Sequence, residues 1–298
     1  MRLHNVAKNA GGVLTTISDA ELNDLHKILL MIYDDFVNIC EVNGLKFTMI
    51  GGSAIGALRH NGFIPWDDDI DLAMPRADFE KLLHCIKEEY AEKYSVLYPQ
   101  DKHNFGRLIP KMRLKGTEYR TILERDLDEC GIFLDIYLIE NAYDNKFMRK
   151  IQGTMSMGLG YLVSCLRLYK GRKFYKSLMN GAEFKVKCVI GFLISFISIE
   201  RWTRWTDYWH SCCKNADSEY ITIPADGKHF FGGLHKRSDY CNFIEVSFEG
   251  RKSYVPGNYD EYLRGYYGDY MKIPPKEKQE RCRYIKFDLG KYGEIQND

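Results

Sequence analysis

The stretch Phe63-Ile-Pro-Trp-Asp-Asp-Asp-Ile-Asp-Leu72 places four aspartates within five consecutive positions. At an effective dielectric constant of about 20, two unit charges about 4 Å apart repel each other by roughly 4 kcal/mol. A folded protein therefore keeps such a cluster in water or around a cation. Because strand side chains alternate between faces, an extended 68–72 segment directs Asp69 and Asp71 to one side. Carboxylates at this spacing suit Mg²⁺ or Mn²⁺. Asp67 joins them if the strand starts early, whereas Asp68 points away and is interpreted as structural.

Two further features support a cation site. Asp135 interrupts the apolar run Ile132–Ile139, where a carboxylate is costly unless it is paired or bound to a metal. Beside the 68–72 strand it would complete a cluster of three carboxylates for one or two divalent ions, as in phosphoryl transfer. Gly51-Gly52-Ser53 lies between a predicted strand and a predicted helix, where backbone N–H groups and the Ser53 hydroxyl can approach a phosphate.

Each feature alone also has an ordinary interpretation. A Gly-Gly-Ser turn need not bind phosphate, an isolated acidic run is often a solvated loop or a helix start, and Asp135 alone could be the buried partner of an Arg or Lys. It is their order along the chain, each on a strand or a strand–helix junction, that favours a site.

The pattern of apolar residues predicts a mixed α/β (α+β) fold, with helices flanking the sheet. A capping box at Ser18 and Glu21, followed by apolar residues at helical spacing up to Gly44, predicts a helix over 19–43. Further predicted elements are strands at 46–50, 68–72 and 132–139, paired strands at 105–114 and 116–123, and helices at 53–60, 76–90 and 259–270. Regular structure is expected to end at Pro274-Pro275. The expected division is an N-terminal segment 1–18, a catalytic core 19–140, a basic helical insertion 141–215 and a C-terminal part 216–298 that completes the catalytic domain.

Composition narrows the class of protein. The net charge of +1 gives no reason to expect a nucleic-acid partner. Nine scattered cysteines without a CxxC pair, and no apolar leader in residues 1–16, indicate a reducing, cytoplasmic setting rather than a disulfide scaffold or a zinc site.

A longer pattern resembles a known family. The stretch from Ile50 through Gly-Gly-Ser-Ala-Ile-Gly-Ala-Leu-Arg-His and the aspartate run to Arg76 resembles the LicD family, which is related to the fukutin-type transferases and lies within the nucleotidyltransferase superfamily. The resemblance continues through Pro110-Lys-Met-Arg-Leu, Gly131-Ile-Phe-Leu-Asp-Ile-Tyr, Val255-Pro-Gly-Asn-Tyr and Tyr267-Gly-Asp-Tyr, so that it covers roughly 20–140 and 219–275.

The resemblance implies transfer of an alcohol phosphate, most often phosphocholine from CDP-choline, to a sugar hydroxyl of a cell-surface glycan such as a teichoic acid, capsule or lipooligosaccharide precursor. It implies a nucleotidyltransferase-like sheet, Mg²⁺ on Asp69 and Asp71, and Asp135 as third ligand or as base for the acceptor hydroxyl. Gly52 and Ser53, together with Gly51, would hold the donor diphosphate.

Four cations lie near the acidic cluster in the motif order. Arg59, His60, Lys111 and Arg113 could neutralise the diphosphate and the leaving nucleotide, and the last two share a face if 105–114 is extended. For Arg59 and His60 a structural salt bridge to Asp67 or Asp68 is the alternative. Trp66 is expected in the core.

A choline group would need an aromatic cage. The chain has 21 Tyr, and the cage candidates are Tyr119, Tyr137, Tyr259, Tyr262, Tyr266 and Tyr267. Donors carrying ribitol, glycerol or ethanolamine phosphate would need hydrogen bonds instead. Two other functions stay open: a nucleotidyltransferase that moves NMP from NTP to a small molecule, and a scaffold with a degenerate site, against which the three carboxylates argue.

The segment 141–215 carries 13 Lys and Arg against 4 Asp and Glu. Its apolar run Cys188–Ile199 is shorter than the roughly 20 residues of a membrane span, so it predicts a buried or interfacial helix. Basic residues beside apolar helices and tryptophans are typical of peripheral membrane contact, here at the inner face of the membrane, where a lipid-linked glycan acceptor is found. The alternative is a helical subdomain that only covers the core.

Overall fold

The structure is a computed structural model that describes residues 14–101, 106–125, 127–178, 181–279 and 281–297. Its helices are α1 (Asp19–Asn43), α2 (Gly51–His60), α3 (Arg76–Glu89), α4 (Lys146–Lys170), α5 (Arg172–Leu178), α6 (Ala182–Leu193), α7 (Ile199–His210), α8 (His229–Gly232), α9 (Arg237–Tyr240) and α10 (Tyr259–Tyr267). Its strands are β1 (Thr15–Thr16), β2 (Thr48–Met49), β3 (Asp71–Pro75), β4 (Tyr94–Leu97), β5 (Lys111–Leu114), β6 (Glu118–Thr121), β7 (Phe133–Ala142), β8 (Tyr220–Thr222), β9 (Leu234–Lys236), β10 (Ile244–Phe248), β11 (Arg251–Val255) and β12 (Arg283–Asp288). This is the predicted α/β class.

Helix α1 forms where the sequence predicts it. Ser18 and Glu21 make the reciprocal capping box, and Gly44 ends the helix in the left-handed conformation. Its apolar face is buried in the main core, with Leu25, Ile32 and Phe36 fully inside. The helix therefore covers one face of the central sheet.

The central sheet has the strand order β2-β3-β7-β5-β4. Strands β3 and β7 are parallel, whereas β2, β5 and β4 pair antiparallel with their neighbours. The far end of β7 pairs with β8, which pairs with β9. Strand β7 is buried on both faces over most of its length. On either side of it, Asp71 of β3 and Lys111 of β5 lie in register with Asp135.

Three strand predictions differ from the structure. The strand predicted at 68–72 begins at Asp71, so residues 67–70 form the loop that leads into it. The predicted pairing of 105–114 with 116–123 is wrong, because β5 pairs with β4 and β7 while β6 pairs with β12. Regular structure does not end at Pro274-Pro275, because β12 joins β1 and β6 in a three-stranded sheet.

The segment 141–215 is helical, as predicted. Helices α6 and α7 both pack on α4. A small cluster of Ile122, Leu168, Tyr175 and Phe184 joins α4, α5 and α6 to the short 3₁₀ turn after β6. No helix within the described ranges is both long and apolar enough to cross a membrane.

Candidate metal centre and cleft

The sheet brings the three predicted carboxylates together. Strands β3 and β7 run parallel with Asp71 in register with Asp135, and Asp69 precedes β3 by two residues. Carboxylate oxygens of Asp69, Asp71 and Asp135 lie within 4.8 Å of one another. This proximity results from strand pairing between residues 64 positions apart, on a sheet whose core fixes the register.

The cluster carries more negative charge than its surroundings balance. Burial raises the pKa of Asp69 and Asp71, and for each the neighbouring carboxylates raise it further. Burial also raises the pKa of Asp135, which Lys111 opposes through an ion pair of 2.6 Å between Nζ and Oδ1. The Lys111 ammonium lies 3.4 Å from the centre of the Phe133 ring. Asp135 is thus both the partner of a lysine and a member of the acidic cluster.

These three side chains fit a hard divalent cation. They offer only oxygen atoms, their spacing allows them to converge on one ion, and their mutual repulsion falls when a cation lies between them. The described part of the chain thus contains a site suited to a divalent cation.

The loop before β3 is held by side chains to which the sequence analysis gave a different role or none. The Tyr119 hydroxyl donates to the carboxylate of Asp68, which supports the structural interpretation of Asp68. His26 stacks on Phe63 at 3.8 Å and its Nε2 lies 2.7 Å from the Asp67 carbonyl oxygen. These contacts fix the approach of the chain to Asp69 and Asp71.

The Gly-Gly-Ser turn lies at the start of α2, against the acidic loop. Gly51 has a φ of +56°, which favours glycine, and its N–H donates to the Tyr262 hydroxyl at 3.1 Å. A Cβ on Gly52 would lie 2.5 Å from the Asp67 carboxylate. The Ser53 hydroxyl accepts a hydrogen bond from the Asp71 N–H at 2.8 Å, so this side chain ties α2 to β3.

A cleft of about 1430 Å³ opens beside the carboxylates. One wall comes from the α2 turn and the acidic loop, and a second from the segment around Tyr267–Arg283. The third wall includes Gly160, Val163, Ser164 and Arg167 of α4, so the basic insertion contributes directly to the cleft. Trp66 lines the cleft while packing partly on the core.

The four predicted cations take different positions. Lys111 and Arg59 line the cleft. Arg59 donates through Nε to His60 at 2.9 Å and through Nη1 to the carbonyl of Lys272 at 3.4 Å, in place of the alternative salt bridge to Asp67 or Asp68. His60 thus contacts Arg59 rather than the cleft. Arg113 is buried away from the cleft, with Nη2 2.8 Å from the Glu124 carboxylate.

The six tyrosines named as cage candidates do not form one group. Tyr137 and Tyr267 line the cleft. The charge of Asp71 raises the pKa of Tyr137, and burial together with the charge of Asp71 raises the pKa of Tyr267. Tyr119 and Tyr262 are buried: the Tyr119 hydroxyl donates to Asp68, and the Tyr262 hydroxyl accepts from the Gly51 N–H. Tyr266 donates to Asp226, and Tyr259 packs against the core. Only the first two are placed to touch a ligand from the cleft.

The sequence analysis missed several charged residues of the cleft, among them Glu124, Arg107 and Arg167. Glu124 is 1% exposed and accepts from Arg113 while Lys111 lies 3.7 Å away. Arg107 is buried on the cleft wall, and burial together with neighbouring Arg167 lowers its pKa to about 10. Arg107 lies four residues before Lys111, which was the available signal. Nothing in the local sequence distinguishes Arg167 from the other cations of the insertion.

Comparisons with known proteins agree with this geometry. Residues 44–149 match the family described as LicD/FKTN/FKRP, nucleotidyltransferase domain. The chain is 29% identical over 288 residues to the lipopolysaccharide cholinephosphotransferase LicD of Haemophilus influenzae, covering 87% of this chain and 94% of that relative. Over 61 residues it is 38% identical to the ribitol 5-phosphate transferase FKRP of Mus musculus and of Homo sapiens, covering 20% of this chain and 12% of theirs. The resemblance to this family that the sequence predicts is confirmed.

Proposed function

We propose that this protein, whose residues 44–149 belong to the LicD/FKTN/FKRP nucleotidyltransferase domain family, transfers an alcohol phosphate to a sugar hydroxyl of a cell-surface glycan in a Mg²⁺-dependent reaction. The donor we propose is CDP-choline. The observation that carries the proposal is the triad of Asp69, Asp71 and Asp135 in the lining of a large cleft. The relative that aligns over most of its length is named a cholinephosphotransferase.

The carboxylate triad would hold the cation, with Mn²⁺ as the other ion that oxygen ligands suit. When bound, the cation supplies positive charge next to the diphosphate and the reacting oxygens. Lys111 holds the Asp135 carboxylate and lines the cleft, so its ammonium is available to both the carboxylate and a phosphate oxygen. In the alternative role, Asp135 accepts the proton of the acceptor hydroxyl.

The diphosphate of the donor would lie by the α2 turn. The first N–H groups of a helix lack intrahelical partners and favour negative charge. Gly52 lines the cleft, whereas Gly51 and Ser53 serve mainly to position the turn through Tyr262 and Asp71. Arg59 adds positive charge on the same wall, and we assign His60 and Arg113 supporting roles through Arg59 and Glu124.

A quaternary ammonium group fits the aromatic side chains of the cleft. Tyr137 and Tyr267 line it near the carboxylates, and Trp66 lies on the same loop as the aspartates. Cations bind over such rings. Ribitol, glycerol or ethanolamine phosphate is the alternative group, and the relative named a ribitol 5-phosphate transferase supports keeping it in the test.

The cellular setting we propose is the cytoplasmic side of the membrane. All nine cysteines lie in described parts of the chain and are unpaired thiols, five of them only partly buried. Thiols of this kind persist in a reducing compartment.

The test is to incubate the purified protein with Mg²⁺ and a panel of CDP-alcohols and NTPs, and to measure nucleotide release. We expect CMP from CDP-choline, with water taking up the phosphocholine group in place of the sugar hydroxyl, and loss of this CMP release in Asp69→Asn and Asp71→Asn. Asp68→Asn is the matched control, because its amide oxygen can still accept from Tyr119. Pyrophosphate release from an NTP would instead identify a nucleotidyltransferase, and unchanged turnover in the two aspartate variants would refute the metal assignment.

A further inference from the structure

One face of the insertion exposes large apolar side chains in a row. Val186, Val189, Phe192 and Leu193 on α6, and Phe196 in the turn that follows, form what we call the apolar ridge. Their exposed fractions are 54%, 58%, 60%, 63% and 83%. Because steps of three and four residues return to the same side of a helix, they line one face and its tip. Trp205 of α7 is another large apolar side chain of the insertion that is exposed, at 42%.

The opposite face of α6 is packed, so the ridge is not a loosely placed core face. Gly191 lies so close to α4 that a Cβ there would clash with the Cys165 carbonyl. Phe184 is buried in the cluster with Leu168 and Tyr175. With one side committed to α4, the apolar ridge faces away from the protein.

The charges that flank the apolar ridge in the sequence are mostly positive, with Glu183 and Glu200 as the acidic neighbours. Residues 184–199 contain no Asp or Glu. Lys185, Arg201 and Arg204 are exposed at its ends, whereas the nearby Lys187 pairs with Glu183 at 2.8 Å. An apolar strip bordered by cations complements a bilayer that contains anionic lipid, since the side chains enter the interface and the cations meet the headgroups.

We propose that the apolar ridge inserts into the interfacial layer of an anionic bilayer and holds the cleft against the membrane surface. Helix α4 connects the two features, because it packs on α6 and also contributes Gly160, Val163 and Arg167 to the cleft. Resting on the proposed function, this identifies the acceptor class as a glycan carried on a membrane lipid. A protruding tip such as Phe196 suits insertion into lipid better than it suits a flat protein interface.

The test is co-sedimentation of the full chain with vesicles of phosphatidylcholine alone or with about 30% phosphatidylglycerol, at about 0.05 and 0.5 M salt. We expect binding to the anionic vesicles that weakens at high salt. Phe192→Ser/Phe196→Ser should weaken it about tenfold or more. Arg201→Glu/Arg204→Glu should weaken binding to anionic vesicles by a similar factor. Val42→Ser/Phe147→Ser, at equally exposed positions outside the ridge, should bind as the wild type does.

All the altered side chains are exposed, so we expect the variants to melt at the wild-type temperature. That result would show that they fold. Binding that the Phe192→Ser/Phe196→Ser variant retains in full, or no binding by the wild type, would overturn the proposal. So would a dimer in solution that this variant dissociates, since the ridge would then be a self-association face. The Asp69→Asn variant should bind vesicles normally. Vesicle binding without turnover of any CDP-alcohol would therefore remove the proposed function and the acceptor class but leave the membrane contact in place.

Discussion

At the scale of single residues, the three carboxylates that could bind a cation also repel one another, and this repulsion destabilises the metal-free protein. Three carboxylates lie within 4.8 Å of one another, and the ammonium of Lys111 offsets only part of their charge. Tyr119, His26 and Ser53 hold the surrounding backbone, so the carboxylates cannot simply move apart. A rigid cluster of like charges binds a cation strongly because the repulsion is already present before the ion arrives.

We expect Asp71→Asn to raise the stability of the metal-free protein and to remove its stabilisation by Mg²⁺. The substitution removes one of the repelling charges, whereas a ligand at about one hundred times its dissociation constant stabilises the wild type by about 2.7 kcal/mol. The measurement is the melting temperature in EDTA and in Mg²⁺. Asp68→Asn should keep the Mg²⁺-dependent shift. A shift that survives in Asp71→Asn would place the cation elsewhere.

At the scale of elements, a buried ion network ties the insertion to the core. Arg76, at the start of α3, donates through Nε to Glu140 of β7 at 2.8 Å, and its Nη2 lies 2.6 Å from Asp207 of α7. Gln100 also donates to Asp207 at 3.1 Å. Both carboxylates are almost fully buried. One guanidinium therefore joins three elements that are distant in the sequence.

Arg76→Ala should lower the free energy of unfolding by about 3–5 kcal/mol, because it leaves two buried carboxylates without their partner. The control is Arg264→Ala, which removes an ion pair with Asp260 in which the Arg264 side chain is 55% exposed. That variant should lose less than about 1 kcal/mol. Urea denaturation followed by circular dichroism compares the two. Equal losses would show that the network contributes no more than a surface pair.

The same junction makes stability depend on pH. His210 is buried next to Asp207 and Arg76, and burial lowers its pKa to about 4. The unfolded chain takes up a proton on this histidine near pH 6.5, whereas the folded chain does so only near pH 4. The stability that His210 contributes is therefore complete above pH 6.5 and lost as the pH falls towards 4.

We expect the wild type to lose about 3 kcal/mol more than His210→Gln between about pH 7 and pH 4. The measurement is the urea midpoint of both proteins across that range. Comparing the two chains cancels the titration of every other group. Parallel curves for the two proteins would show that the imidazole is not held neutral by the fold.

The sequence predicts elements whose causes are local, and it misses pairings between distant segments. Helix α1 follows from the capping box at Ser18 and from Gly44, all within one stretch of chain. Asp135 was predicted to join Asp69 and Asp71 because a carboxylate in an apolar strand needs a partner. In contrast, β6 pairs with β12 more than 150 residues later, and no pattern near Glu118 marks that partner. Arg167 reaches the cleft because α4 lies along it, and Arg107 reaches it from the segment before β5, so that two distant parts of the chain meet there.

At the scale of the whole molecule, the cleft is shared between residues 44–149, which match the family model, and the insertion. The carboxylates, Lys111 and the α2 turn come from residues within 44–149, whereas Val163, Ser164 and Arg167 come from a helix that continues beyond that range. The carboxylate triad lies entirely within residues 44–149. The candidate cation ligands and the α4 wall therefore come from different parts of the chain.

Arg167→Ala should raise the KM for the glycan acceptor by about tenfold or more, since a hydrogen bond to a charged group contributes about 1.5–3 kcal/mol. It should leave the Mg²⁺-dependent melting shift and the release of CMP in the absence of acceptor unchanged, because Arg167 lies on the α4 wall and not among the carboxylates. Arg172→Ala is the control: this arginine is a cation of the same insertion, is exposed, and lies over the Tyr169 ring outside the cleft. If both variants behaved alike, or if Arg167→Ala abolished CMP release without acceptor, the α4 wall would not be the acceptor side of the cleft.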